Sequence, residues 1–349
     1  MTSQTTDTAE PTRSRPPDPS QSPSLSPSAT TRLLAPVLDD LAVADAAIRG
    51  VADTENPLLS QTLRMILTVS GKRLRPALTL LAAGMHETAL QRRVELAMAA
   101  ELLHTATLIH DDVIDVSAAR RGRPTINAAF SNTLAVLTGD YLFGKSGELI
   151  SGLGSTAIMG VYSWAVMELV QGEMFRPTLD GDLDATERDY LAKIRGKTAS
   201  LFAMCTQTGA MLDADDPDAV GRLRDYGLNL GMAFQVVDDV LDYTASEAEL
   251  GKPVGSDLRH GTITLPAICY LRQHPQDALV RGLLDQDEDA QSEADAAVET
   301  IRRSGATEQA LDRARTYATA ATAALDGLPA GPTVESLYGL ARYVVDRKE

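Results

Sequence analysis

The chain has 349 residues, 44% of them apolar and only 4% aromatic, and its formal net charge is −16. A chain of this size can bury a sizeable core as one large domain or two small ones. The negative charge excludes nucleic acid as an expected partner and makes adhesion to anionic lipid by charge alone unfavourable. No apolar run approaches eighteen residues, so we expect no transmembrane segment.

The first thirty residues differ in composition from the rest of the chain. Nineteen of them are Pro, Ser or Thr and none is aromatic, so residues 1–30 are expected to be a disordered tail. From residue 31 the chain is rich in Ala and Leu, and apolar residues recur at helical spacing, as in Leu33, Val37 and Leu41. Composition and spacing together predict one all-α domain over residues 31–349.

Proline and glycine positions divide this domain into predicted helices. Pro57 and Pro76 each begin an apolar stretch and are expected at the start of a helix. The segment 91–117 should form one long helix that is buried on most sides, because it is apolar on most sides. Loops are expected at 120–125 (RRGRPT) and at 251–262 (GKPVGSDLRHGT). Further helices are predicted near 133–152, 156–174, 187–211 and 217–243, and beyond these to the C-terminus.

One acidic pattern occurs twice, each time after an apolar helical run. The copies are DDVID and DDVLD, separated by 127 residues. On a helix, residues three and four apart share a face, so each copy concentrates carboxylates on one side, which is repulsive unless a cation lies there. Oxygen ligands in this number suit Mg²⁺, which takes its remaining ligands from water and substrate phosphate. The six aspartates are Asp111, Asp112, Asp115, Asp238, Asp239 and Asp242.

The placement of basic residues indicates what such a metal site would bind. The chain has only six lysines, yet Lys72 lies in GKRLRP, Lys197 in RGKTAS and Lys252 in GKPVGSDLR. Arg120 and Arg121 follow the first acidic motif closely. Lysine offers a point charge to phosphate, and arginine offers a bidentate pair of donors. Each of these residues alone would be an ordinary surface charge, but together with the acidic motifs they favour a polyphosphate site.

The histidines and cysteines allow weaker inferences. His104 lies two helical turns before Asp111. Two interpretations agree with this position: a hydrogen-bonded residue of the core, and a functional residue on the same helix face as the aspartates. His110 points about 100° away from Asp111, which favours a supporting role. Cys205 and Cys269 lie in apolar helical contexts, which is typical of buried thiols in a reducing compartment, and we therefore expect a cytoplasmic protein.

The order and spacing of these strings resemble the trans-prenyltransferases, also called polyprenyl diphosphate synthases. The resemblance extends over residues 31–349 and implies the all-α isoprenoid-synthase bundle, with the acidic motifs facing each other across a central cavity. It also implies a homodimer. The matching strings are GKRLRP (71–76), HTATLIHDDVID (104–115), RRGRPT (120–125), GKTAS (196–200), FQVVDDVLD (234–242) and GKPVGSDL (251–258).

The same resemblance implies a role for each matched residue. The acidic motifs would bind three Mg²⁺ ions that bridge an allylic diphosphate, and isopentenyl diphosphate would attack the allylic cation, with the released diphosphate as base. Thr198 and Gln235 match residues whose oxygens lie near the allylic carbon. Contacts to the allylic diphosphate would be Arg120, Lys197 and Lys252. Contacts to isopentenyl diphosphate would be Lys72, Arg75, His104 and Arg121.

One position departs from the family pattern. Many members have a lysine in a GKxTLP segment, whereas this chain has GTITLP, with Thr262 in that place. One cationic contact to phosphate is therefore missing, which should alter the affinity for the allylic substrate and leave the metal site in place.

The helix that contains Asp111 is also expected to limit the length of the product. In the family, bulky residues four or five positions before this aspartate stop elongation early. Here those positions are Thr107 and Ala106, with Leu103 one turn deeper, and each turn adds about 5 Å of depth. An enzyme that makes only farnesyl diphosphate is therefore not expected. The downstream segment GDYLFGKSGELI resembles the medium- and long-chain members of the family, so we predict a product of thirty carbons or more, of the kind used for quinone side chains. A geranylgeranyl diphosphate synthase is the alternative.

Other functions agree less well with the sequence. A class I terpene cyclase has an Asn/Ser/Glu second metal motif where this chain has DDVLD. An HD-type phosphohydrolase would use His110 and Asp111 but leaves the second motif unexplained. A non-catalytic subunit of a heteromeric prenyltransferase typically lacks one acidic motif. In a purely structural bundle, the aspartate pairs on apolar helices would have no metal ion to balance their charge.

Overall fold

The computed structural model describes residues 29–68, 73–120, 122–179, 182–214, 216–246 and 253–347. Residues 1–28 lie outside these ranges, and so do three residues to which the sequence assigns a substrate contact. These three are Lys72, Arg121 and Lys252. The expectations for the N-terminal tail and for these three side chains stay predictions.

The described chain is a bundle of α-helices, as predicted. The first half contains α1 (Ala29–Leu33), α2 (Leu38–Gly50), α3 (Pro57–Leu67), α4 (Leu74–Ala83), α5 (Leu90–Ile114), α6 (Ile126–Ala129), α7 (Asn132–Gly152) and α8 (Thr156–Met174). The second half contains α9 (Leu183–Ile194), α10 (Ser200–Met211), α11 (Pro217–Thr244), α12 (Ser256–Arg259), α13 (Leu265–Gln273), α14 (Ala278–Leu284), α15 (Glu288–Gln291), α16 (Ala294–Arg303), α17 (Ala306–Ala324) and α18 (Pro332–Asp346). A 3₁₀ turn (Ala35–Val37), a π-helical turn (Arg195–Ala199) and strands β1 (Ala119–Arg120) and β2 (Arg123–Pro124) are also present.

Local sequence explains the start of α3. Pro57 is the first residue of α3, and the Asn56 side chain accepts hydrogen bonds from the next two N–H groups. The prediction for Pro76 was wrong by two residues, because α4 begins at Leu74. A proline in the first turn costs no helical hydrogen bond, since the N–H groups there have no partner within the helix.

The loop predicted at 120–125 contains a short β-hairpin. Ala119 pairs with Pro124 and Arg120 pairs with Arg123, and Gly122 in the turn between them has φ +72°. Glycine adopts this left-handed conformation without steric cost. The hairpin directs Arg120 back towards the acidic motif that precedes it.

Helices α5 and α11 are the central elements, and their C-terminal ends contain the two acidic motifs. Helix α5 packs against α4 and α7, and α11 packs against α10 and α17. Most of α5 is buried, as predicted from its apolar sequence. Each fully buried leucine contributes about 1.5–3 kcal/mol relative to an exposed one. The core therefore fixes the two helices that present the aspartates.

Candidate active site

The two acidic motifs reach one pair of adjoining cavities. Asp111 and Asp115 line a cavity of about 920 Å³, and Asp112 lines its neighbour of about 610 Å³. Asp238, from the second motif, lines both. The larger cavity combines these carboxylates with an apolar wall, which suits a ligand that has a charged end and a hydrocarbon end.

The other two aspartates of the second motif lie behind the cavities. Asp239 and Asp242 have 4% and 2% exposure and line neither space. The Tyr190 hydroxyl donates to Asp239 Oδ2 at 2.6 Å and Gln235 Nε2 donates to Oδ1 at 3.0 Å. The backbone N–H of Asp257 donates to Asp242 Oδ2 at 3.0 Å. Burial raises the pKa of Asp239 to about 8, with a further contribution from the Asp257 charge.

Lys197 is placed between two carboxylates of the larger cavity. Its Nζ lies 3.3 Å from Asp111 Oδ2 and 2.5 Å from Glu173 Oε2. Burial raises the pKa of Asp111, and the Glu173 charge adds to this, while Lys197 opposes both. Burial by itself lowers the pKa of Lys197, but Asp111 and Glu173 outweigh it and the pKa is raised. The lysine is therefore a stable cation within the acidic site.

Two arginines pair with two of the other cavity-lining aspartates. Arg120 Nη2 lies 2.9 Å from Asp112 Oδ1, and Arg347 Nη2 lies 2.5 Å from Asp238 Oδ1. Within the described ranges, no three acidic, histidine or cysteine side chains converge on a ready-made metal cage. Mg²⁺ does not require one, since it commonly takes one or two carboxylates and completes its shell with water and substrate phosphate.

A π-helical turn at residues 195–199 positions Lys197. A Cβ atom on Gly172 of α8 would lie 2.4 Å from the Lys197 backbone nitrogen, and one on Gly196 would lie 2.6 Å from the Glu168 carbonyl oxygen. The turn can approach α8 this closely only because both positions are glycine. In the same turn, the Thr198 hydroxyl donates to Gln235 Oε1 at 2.7 Å. Single π turns of this kind are frequent at functional sites.

The cationic border shared by the two cavities comes from α4 and α5. Arg75 Nη1 lies 3.1 Å from His104 Nε2, and both residues line both cavities. Arg73, which precedes α4 with φ +45°, pairs with Asp45 at 2.8 Å and with Glu101 at 2.6 Å. These contacts fix the segment before α4 against α2 and α5.

His110 faces away from the acidic motif, towards α7. Its Nε2 lies 3.2 Å from the Val136 carbonyl oxygen, and its ring stacks on Phe143 at 5.7 Å. A Cβ atom at Gly139 would lie only 2.1 Å from the same nitrogen, so the ring fills the space that a side chain there would need. His110 therefore packs against α7 while its backbone continues into the motif.

The residues predicted to limit chain length occupy different environments. Thr107 lines the larger cavity, whereas Ala106 and Leu103 are fully buried and line neither cavity. The apolar wall of the larger cavity comes mainly from α7 and α8. These two helices contribute Phe143, Val166, Leu169, Val170 and Met174.

Several residues at the site were missed from the sequence. They are Glu173, Arg176, Tyr190, Asp257 and Arg347. Asp257 lies within GKPVGSDL and could have been found from that string. The others had no local signal in the sequence.

No helix in the described part of the chain has the length and apolarity required to cross a bilayer.

Comparison with known proteins identifies the family. Residues 56–301 match the family model described as polyprenyl synthetase. Heptaprenyl diphosphate synthase component 2 of Geobacillus stearothermophilus is 38% identical over 309 residues, which cover 88% of this chain and 96% of that protein. Octaprenyl diphosphate synthase of Escherichia coli is 37% identical over 310 residues, with 88% and 96% coverage. The structure of a polyprenyl synthase from Caulobacter crescentus, complexed with calcium and isoprenyl diphosphate, matches with a TM-score of 0.85 and 35% identity, covering 92% of this chain and 98% of that one.

The fold and the site define an all-α prenyltransferase. The chain belongs to the polyprenyl synthetase family, and the resemblance stated from its motifs is confirmed. The expected fold class is confirmed as well, and the enzyme is a transferase. The heptaprenyl and octaprenyl diphosphate synthases, at 37–38% identity, are medium- and long-chain enzymes, in agreement with the predicted product of thirty carbons or more.

Proposed function

We propose that this enzyme condenses isopentenyl diphosphate head-to-tail with an allylic diphosphate to form a trans-polyprenyl diphosphate of thirty carbons or more. The observation that supports this most directly is the pair of adjoining cavities. The larger has carboxylates and an apolar wall, as an allylic diphosphate requires, while the smaller is lined by Arg73, Arg123 and Arg347 and shares Arg75, His104 and Arg120 with the larger. Two diphosphates in adjoining sites would bring their reactive carbons together.

The donor set of the larger cavity fits Mg²⁺. Asp111, Asp115 and Asp238 line one cavity, where Mg²⁺ would take one or two carboxylates and complete its shell with substrate phosphate and water, and lysine and arginine already neutralise two of the three. When bound, Mg²⁺ supplies electrostatic stabilisation of the departing diphosphate. Asp239 and Asp242, which are buried behind the cavities, then act as positioning residues. Three ions, the number that the resemblance implies, belong to this proposal.

Side chains of the enzyme bind the allylic diphosphate and stabilise the charges that develop in the reaction. Arg120 and Lys197 bind oxygens of the allylic diphosphate and stabilise its charge as the carbon–oxygen bond breaks. Oxygens of Thr198 and Gln235 lie beside the developing allylic cation. The diphosphate that leaves accepts the proton lost after carbon–carbon bond formation. We also assign Lys252 to the allylic site, and Lys72 and Arg121 to the isopentenyl site, as the resemblance implies.

The apolar wall excludes water from the allylic cation. Water would otherwise capture the cation and give an alcohol. Phe143, Leu169 and Val170 lie on this wall, and the same surface would receive the growing chain.

One experiment tests the reaction. The purified chain is incubated with Mg²⁺, labelled isopentenyl diphosphate and geranyl, farnesyl or geranylgeranyl diphosphate, and the dephosphorylated products are separated by reversed-phase chromatography. We expect products of thirty carbons or more, lost in Asp238→Asn. Asp225→Asn, an exposed acid on the same helix paired with Arg224, is the control that keeps activity. A cyclised hydrocarbon or a twenty-carbon end product would contradict the proposal.

We propose that two copies of the chain associate through α7 and α8. Large apolar side chains are exposed on both helices, among them Leu137 at 56% and Met167 at 57%. Leu137 and the exposed Tyr141 share one face of α7, and an exposed apolar face of this kind typically marks an interface. The expected result is that Leu137→Asp shifts the protein from dimer to monomer in sedimentation analysis. Leu58→Asp, at an exposed leucine of α3, should leave the dimer intact.

A heteromeric assembly is the competing arrangement. It is suggested by the name of one relative, heptaprenyl diphosphate synthase component 2. Both acidic motifs are present here, so in such an assembly this chain would be the catalytic subunit. If the purified chain alone is inactive and a cell extract from the source organism restores turnover, the heteromeric arrangement replaces the homodimer.

A further inference from the structure

Arg176 is a cavity residue to which the sequence motifs assign no role. It lies just after α8, which ends at Met174, and it lines the larger cavity together with Asp111, Asp115 and Lys197. An exposed arginine is usually a solvated surface charge. The position of Arg176 on the wall of an acidic cavity distinguishes it from an ordinary surface arginine.

The pairing of Arg176 differs from that of neighbouring cations. Lys197 contacts two carboxylates, and Arg120 contacts Asp112 at 2.9 Å. Among the residues that the structure describes, no ion pair or side-chain hydrogen bond is found for Arg176, which is exposed to the cavity. Its guanidinium can therefore bind a ligand without breaking an existing contact.

The electrostatics of the cavity make this cation significant. Glu173 and Asp257 line it in addition to the motif aspartates. The family lysine that would contribute positive charge is replaced by Thr262. The Thr262 backbone N–H donates to the Asp257 carbonyl oxygen at 2.8 Å, so position 262 lies next to a residue of the cavity wall. Arg176 thus lines the larger cavity, and position 262 adjoins a residue of the same cavity wall on a different element of the fold.

We propose that Arg176 binds the allylic diphosphate and supplies the cationic contact that the chain lacks at position 262. The proposal rests on the proposed function, since it names a further contact to the same substrate. A guanidinium presents two parallel N–H donors to phosphate oxygens, and it adds to the contacts from Lys197. Arg176 is a substrate-binding residue of the allylic site and makes no contact with isopentenyl diphosphate.

The test compares Arg176→Gln with Arg188→Gln, an exposed arginine of α9 that lines neither cavity. The KM for the allylic diphosphate should rise about tenfold in Arg176→Gln, as expected for one charge-assisted hydrogen bond, while the KM for isopentenyl diphosphate stays within about twofold. In Arg176→Lys, the KM for the allylic diphosphate should rise less than in Arg176→Gln. Adding Thr262→Lys to Arg176→Gln should restore most of the allylic affinity.

A binding measurement separates this proposal from the proposed function. Calorimetric titration with inorganic diphosphate and Mg²⁺ should show weaker binding in Arg176→Gln than in Arg188→Gln, with equal unfolding temperatures. Equal diphosphate affinity in the two variants, or a rise in the KM for isopentenyl diphosphate instead, would overturn the assignment. Failure of the unmodified enzyme to turn over allylic substrate would reject the proposed function, while the diphosphate titration would still decide the role of Arg176.

Discussion

Arg347 pairs with Asp238 across 109 residues of sequence. Its Nη2 donates to Asp238 Oδ1 at 2.5 Å and to the Phe234 carbonyl oxygen at 2.9 Å, and its guanidinium lies 4.0 Å from the centroid of the Phe234 ring. Asp238 is a proposed Mg²⁺ ligand, so the arginine and the metal compete for the same carboxylate. The C-terminal end of the chain is thereby connected to the metal site.

We expect Arg347→Met to strengthen metal binding in the absence of substrate. Methionine keeps an apolar chain against Phe234 but removes the charge that competes for Asp238. The apparent affinity for Mg²⁺ should rise severalfold, as measured by calorimetry on the substrate-free protein. Arg342→Met, at an exposed position of α18, the helix that ends one residue before Arg347, is the control. Identical Mg²⁺ affinities in the two variants would show that the pair does not limit metal binding.

Tyr190→Phe is expected to remove a hydrogen bond to Asp239 of the second acidic motif and so to lower the free energy of unfolding. The change removes only the hydroxyl that donates to Asp239 at 2.6 Å and leaves a buried carboxylate oxygen without that donor. Such a loss costs about 1–3 kcal/mol of the free energy of unfolding. Urea unfolding measures it, and the matched control is Tyr338→Phe, whose hydroxyl contacts Asp326 at the surface. Equal losses in the two variants would contradict a special role for the buried pair.

The unfolding free energy of the Mg²⁺-free enzyme should depend on pH through Asp239. Burial raises the pKa of this carboxyl to about 8, above the value of 3.8 for an exposed aspartate. Between these values the folded state binds a proton that the unfolded chain has released, so the contribution to stability is present at low pH and falls as pH rises towards about 8. Denaturant unfolding at several pH values checks this, and Asp239→Asn should flatten the dependence. An unchanged slope in that variant would assign the pH dependence to other groups.

Gly172→Ala is expected to displace the turn that contains Lys197. The added methyl group would lie 2.4 Å from the Lys197 nitrogen, so α8 and the π turn must separate. Overpacking of this kind costs about 1–3 kcal/mol, and activity should fall with stability. Gly160→Ala, in open space on the same helix, should instead gain up to about 1 kcal/mol. Thermal unfolding and turnover are measured for both, and a neutral Gly172→Ala would mean that the turn adjusts freely.

Product length should respond to the wall of the larger cavity. Thr107→Phe fills the space next to Asp111 and should shorten the product, and Ala106→Phe should shorten it too if α5 shifts to admit the ring. Phe143→Ala removes an aromatic ring that α7 contributes to the cavity wall, and this change should lengthen the product. Chromatography of the dephosphorylated products gives the distribution. An unchanged distribution in all three variants would exclude this wall as the determinant of length.

Much of the candidate site could be predicted from the sequence because its signals are local. Apolar spacing gave α7 and α8 to within a residue, and the acidic strings gave Asp111, Asp115 and Asp238 at the cavity. The uninterrupted helix predicted over 187–211 was less accurate, since a π turn separates α9 from α10. That turn depends on the close approach of Gly172 and Gly196, which are distant in sequence.

The sequence by itself determined the family, the all-α class and the identity of the acidic motifs, because helical periodicity and motif spacing are properties of neighbouring residues. Only the tertiary structure decided how each motif is used. Asp238 faces the cavities while Asp239, one residue later, points about 100° away into the protein and binds Tyr190. Which face of α11 meets the cavity is fixed by packing against α10 and α17. The pairing of Asp238 with Arg347 likewise exists only in the folded chain.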